Sequence, residues 1–280
     1  MKYSEVLKRY VNTGSQIPEK QYERLSQSLQ KSYMRMRGVV EYKDWEFKYL
    51  TDDEKIKYIE SKGGKIWSEI EVYSLLYYSE DKDLIATKII NVIGDKLNSN
   101  HIFRLVKQSK NRYDIITKII NVKGEELDYN DMFNLIQYSQ DKDLIATKII
   151  DVKGEELTPH DVDTLLKFTT DNIAIKIIQT KGNKLKDDDI YYLIQYSNDK
   201  DLIATKIIDV KGKELTQYEM LRLLKNSNDK ELIKKLLLQN GVDYKLINKV
   251  ITNLDMDIPL ISDNYQEMLN EIRRIKEIMK

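Results

Sequence analysis

Seven of the chain's ten glycines fall on one period. Gly63, Gly94, Gly124, Gly154, Gly182, Gly212 and Gly241 are separated by 31, 30, 30, 28, 30 and 29 residues. Three of the intervening segments contain the same ten residues, DKDLIATKII, at 81–90, 141–150 and 199–208, charged positions included. A catalytic motif is needed once, whereas a structural building block recurs. A period in this range is the sequence mark of repeat architectures, in which each unit buries its apolar face against the next copy.

Within each unit the apolar residues have helical spacing. After Gly-x-x-aliphatic (Leu97, Leu127, Leu157, Leu185, Leu215) comes a first segment with positions i, i+3 and i+4 apolar, as in Met132, Leu135 and Ile136. That spacing builds one face of a 3.6-residue helix. Ser68 with Glu71, Thr216 with Glu219 and Thr51 with Glu54 have capping-box spacing, and Thr158 precedes a proline suited to a first helical position. The second segment, DKDLIATKIIDVKG, opens on Asp141 and Asp143, which suit a helix N-terminus. It closes on Lys153 and Gly154, which suit a last turn and a left-handed stop. Projected on a helix, Ile145, Ala146, Ile149, Ile150 and Val152 share one broad arc, and Thr147, Lys148 and Asp151 lie opposite. Helices of roughly ten to twelve residues are marginal alone. The expected fold is therefore all-α: an α-solenoid of about seven 30-residue helical hairpins with atypical helical caps at both ends.

The aspartate-led, aliphatic-rich second helix ending in glycine resembles the short form of HEAT repeat, over about residues 50–245, although the arginine usual in that helix is absent. KELIKKLLLQNGVD (230–243) is similar to the second helix of an ankyrin repeat. About four residues between glycine and the next helix leave no room for the ankyrin β-hairpin, which favours the HEAT-like reading. Three regions follow: an N-terminal helical cap (1–50), the repeats (51–245) and a C-terminal cap (246–280). In the first, Tyr22, Leu25, Leu29, Tyr33 and Met36 share one side of a helix, and Lys31, Arg35 and Arg37 cluster. In the last, Tyr265, Met268, Ile272, Ile275 and Met279 follow a 3-4 spacing that reads as a cap on the last repeat or a homodimer seam through 263–280.

Composition narrows the function classes. The 46 basic and 46 acidic residues cancel, so no global field recruits nucleic acid or an anionic membrane. Without cysteine there are no disulfides, thiolate metal sites or cysteine nucleophiles. No apolar run is long enough for a membrane span and the start carries no secretory pattern, so a cytoplasmic location is expected. Abundant Ile, Lys, Asn, Asp and Tyr resemble coding by an AT-rich genome such as a low-GC bacterium, a phage or a large virus; a viral chain would lie in host cytoplasm or virion.

Little points to catalysis. His101 and His160, near the starts of first helices, read as surface or capping residues, and the carboxylates of KDDDI (186–190) as acids at a helix N-terminus. No phosphate loop, HExxH or GxSxG element occurs. An enzyme on a HEAT-like scaffold, of the glycosylase or lyase kind, would have to draw on Trp45 and Trp67 with Asp44 or Glu69. No cofactor or metal is implied. Residues recurring at one position of every unit say more. Lys88, Lys118, Lys148, Lys176 and Lys206 form a row that could grip an anionic partner, beside Asn91, Asn121, Asp151, Gln179 and Asp209, which would neutralise part of it. Tyr78, Tyr138, Phe168 and Tyr196 close the first helices, and Tyr73, Phe103, Phe133 and Tyr191 stand nearer their starts. Most of these eight are expected in the core, with a partly exposed tyrosine row as a protein-binding surface. The leading expectation is a non-enzymatic protein-binding scaffold or adaptor. The alternative is a nucleic-acid-binding repeat protein that uses the lysine row and the basic N-terminal helix.

Overall fold

The computed structural model describes residues 19–25, 30, 44–65 and 67–253, and all regular structure among them is helical. The chain divides into two compact units, Met1–Glu126 and Leu127–Lys280. The first contains the short α1 (Glu19–Tyr22), a 3₁₀ segment Asp44–Tyr49, α2 (Asp52–Lys62), α3 (Glu69–Tyr77), α4 (Lys82–Ile93), α5 (Ser99–Gln108) and α6 (Arg112–Lys123). The second contains α7 (Tyr129–Gln137), α8 (Lys142–Lys153), α9 (Pro159–Leu166), α10 (Asp171–Lys181), α11 (Asp187–Tyr196), α12 (Lys200–Lys211), α13 (Gln217–Asn226), α14 (Lys230–Gln239) and α15 (Tyr244–Asn253).

Within each unit a helix packs on its hairpin partner and on the helix two further along the chain. First helices thus meet first helices, as α3 meets α5 and α9 meets α11, while second helices meet second helices. This packing of consecutive helices fits a helical repeat. The buried residues come from the periodic positions: Ile145, Ala146, Ile149 and Ile150 on α8, and Met132, Leu135 and Ile136 on α7. Val152, expected in the same arc, is only half-buried.

The expected caps are present. Thr51, Ser68, Thr158 and Thr216 each accept from the N3 backbone N–H, and the N3 carboxylate returns to the cap N–H. The glycines have positive φ, but their ψ departs from a left-handed cap: Gly154 sits at φ 54°, ψ −133°. This region is essentially closed to residues with a Cβ. It turns the chain into a single 3₁₀ turn, Gly154–Glu156, that leads to the next first helix.

Two kinds of joint link successive hairpins. In the first, the lysine before the glycine turns inward instead of lying in solvent near a helix end, and Lys153, Lys181 and Lys211 are buried. Lys211 Nζ donates to the Leu185 carbonyl (2.6 Å) at the start of its own hairpin and to Glu219 (2.8 Å) at N3 of the next first helix. Lys153 donates to the Leu127 carbonyl (2.8 Å) and forms an ion pair with Asp161 (3.5 Å), and Lys181 donates to the Leu157 carbonyl and forms an ion pair with Asp189 (3.2 Å). Lys62 holds Glu71, which also accepts from the Tyr58 hydroxyl. In the second kind, a second-helix aspartate accepts N–H groups at the cap of the following second helix. Asp83 takes Lys110 and Asn111, Asp171 takes Asn198 and Asp199, and Asp201 takes Asn228 and Asp229.

In the N-terminal region Tyr22 is buried edge-on against Tyr49, with ring centroids 4.5 Å apart, and Leu25 is half-buried. Leu29, Tyr33 and Met36, the Lys31–Arg35–Arg37 cluster and the whole 263–280 seam lie outside the described residues.

Candidate functional surface on the first helices

Packing against two neighbours and a hairpin partner uses most of a first helix, and the side left over carries the aromatic residues. The expectation that most of the eight first-helix aromatics fill the core is corrected here: none is buried. Tyr78 is 36% and Tyr191 44% exposed, while Tyr138, Phe168, Tyr196, Tyr73, Phe103 and Phe133 are half-buried. The core is aliphatic because the 3-4 spacing at the centre of each helix is filled by Ile, Leu, Val and Met. The aromatics fall on positions beside that stripe.

Each unit holds its rings by the same means. In the first, Tyr73 stacks on Tyr77 at 5.4 Å, and Tyr77 meets Tyr78 edge-on at 5.0 Å. Arg104 reaches across from α5 to Glu69 (2.6 Å) and lies over Tyr73 at 5.1 Å. Lys107 lies over Phe103 and Lys82 over Tyr77. In the second unit Arg222 bonds Asp187 (3.0 Å) and lies over Tyr191 at 4.9 Å. Tyr192 stacks with Tyr196, Phe133 meets Phe168 edge-on at 5.5 Å, and Lys142 covers Phe168. The Tyr196 hydroxyl donates to Asp163 at 2.7 Å; partial burial, then that carboxylate, push its pKa up to about 12. Rings fixed by stacking and by cations lose little freedom on contact, a property of protein-binding surfaces.

The sequence reading did not single out Arg104 and Arg222. The signal was present: Glu69 to Arg104 and Asp187 to Arg222 are both 35 residues, one period plus five, with Tyr73 and Tyr191 in matching places.

The lysine row lies on second helices, half-exposed. Three members have carboxylate partners: Lys88 with Glu60 (3.0 Å), Lys118 with Asp114 (2.5 Å) and Lys176 with Asp151 (2.7 Å). Lys206 faces a different environment, since Gln179 stands one repeat back where Asp151 would be. Of the other candidates, His160 is exposed and Glu69 is held by Arg104. Trp67 is buried with its Nε1 donating to the Gly63 carbonyl, and the side chains of Asp44 and Trp45 lie outside the described residues. Asp187 and Asp189 are engaged by Arg222 and Lys181. Among the described residues no group of three or more acidic or histidine side chains could hold a metal ion, and no helix is long and apolar enough to cross a membrane.

Comparison with known proteins finds no matching family model, no matching curated protein and no matching solved structure.

Proposed function

We propose that the chain is a non-enzymatic protein-binding scaffold, an α-solenoid of about seven helical hairpins that takes its partner on the aromatic faces of the first helices. The observation that carries this reading is the absence of all eight first-helix aromatics from the core. Half-exposed rings, several of them braced by cations, offer large contact area at low entropic cost. Contacts spread over several repeats should make no single residue indispensable. The lysine row supports nucleic-acid binding less well, because carboxylates already pair with Lys88, Lys118 and Lys176.

The test is capture from the native source on the immobilised chain, with partners identified by mass spectrometry. Tyr138→Ala with Tyr196→Ala should lower recovery of the captured protein about tenfold or more, and His160→Ala should leave it unchanged. Reversal of Lys118, Lys148 and Lys176 to Glu should matter little. Tight binding to random DNA, lost steeply with salt and abolished by that reversal, would establish the nucleic-acid reading instead.

A further inference from the structure

The joint at Gly94 departs from the lysine–carboxylate pattern. The residue before Gly94 is Ile93, buried and unable to reach a carbonyl, and the N3 residue eight positions on is His101, where the joints at Gly63, Gly124, Gly154, Gly182 and Gly212 carry Asp or Glu. The single imidazole takes over both lost roles. Its Nε2 bonds the Trp67 carbonyl at 3.2 Å, which corresponds to the Leu127, Leu157 and Leu185 carbonyls taken by lysine elsewhere. Its Nδ1 accepts the Asn98 N–H at 3.4 Å, the capping bond made elsewhere by a carboxylate. A backbone N–H can only donate and a carbonyl can only accept, so these partners require the neutral Nε2–H tautomer.

We infer that His101 makes the joint between hairpins α3/α4 and α5/α6 an acid-sensitive one, tight when the imidazole is neutral and loosened when it is protonated. A proton on Nδ1 sets two donors face to face and removes the capping acceptor, while the side chain is 3% exposed and cannot turn to water in place. The charged groups around it belong to known pairs. On α3, Glu69 is tied to Arg104 of α5, and Glu71 to Lys62 and Tyr58 of α2. From α6 the buried side chains are isoleucines, and Asp95 and Lys96 in the intervening turn are exposed. Burial holds the imidazole below its ordinary value, against the opposing pull of the Trp67 carbonyl, Glu69 and Glu71. The opened joint therefore binds more protons than the closed one, and stability is lost as pH falls below about 6.5. The joints at Gly182 and Gly212 contain no imidazole.

Hydrogen exchange on the full chain, corrected for intrinsic rates, compares residues 97–103 with the equivalent 185–191 between about pH 7.5 and about pH 5.5. Protection of 97–103 should fall by up to about tenfold relative to 185–191. His101→Gln should abolish that fall, since an amide supplies one acceptor and one donor without titrating. Ile93→Lys with His101→Asp, which installs the pair of the other joints, should do the same and serves if the glutamine variant does not fold. Unchanged relative protection in the wild-type chain, or an equal fall in either folded variant, would overturn the inference.

Discussion

Lys181 shows how much rests on single side chains. Its side chain is 3% exposed, its ammonium bonded to the Leu157 carbonyl and 3.2 Å from Asp189, which is itself fully buried and has one oxygen without a partner. Lys181→Met should therefore cost about 3–5 kcal/mol in urea unfolding, because it strands a buried carboxylate. Lys176→Met, which removes a more exposed pair with Asp151, should cost no more than about 1 kcal/mol. Equal effects would show that the buried joints are no more than surface pairs. From sequence, a lysine one residue before a helix-ending glycine reads as a complement to the helix dipole, the role first given to Lys153. Its second partner lies eight residues on in the next hairpin, and a periodicity search for apolar residues does not register a charged pair across a turn. The same pairing could have been found from the exception, since Ile93 and His101 change together.

At the scale of helices, the starts were legible and the ends less so. Capping boxes announce themselves at fixed spacing, and Thr51, Ser68, Thr158 and Thr216 cap where expected. Glycine as the stop was legible too, but not its conformation: a ψ near −130° commits the chain to a 3₁₀ turn, and sequence shows only that glycine is needed. Asp143 was read as a helix-terminus acid; its carboxylate reaches the Thr170 N–H of the next hairpin at 3.2 Å. These aspartates fix where each second helix begins relative to the one before. Asp201→Ala should release the Asn228 and Asp229 N–H groups at the start of α14, lower stability by about 1 kcal/mol and raise hydrogen exchange there before elsewhere. Exchange that rises evenly along the chain would indicate that the carboxylate does not position α14. The aromatic positions were also visible in the sequence, yet their side of the helix was misjudged. Hydrophobicity alone does not separate a core ring from one braced at the surface by Arg104 or Arg222.

For the molecule as a whole, each hairpin depends on its neighbours to bury its apolar faces. Ile173, Ala174, Ile177 and Ile178 of α10 are buried because α8 and α12 lie against them, and Val162, Leu165 and Leu166 of α9 because α7 and α11 do. Remove the neighbours and two short helices remain, with little apolar surface to bury against each other and the entropy of ordering still opposing them. The binding proposal depends on the same physics, since a surface assembled from several first helices exists only while they remain stacked. Circular dichroism of the isolated hairpin 155–182, measured beside the array 127–253, is the most direct test. The hairpin should give a coil-like spectrum and the array a helical one that melts cooperatively. A hairpin that is helical and melts cooperatively by itself would contradict that dependence.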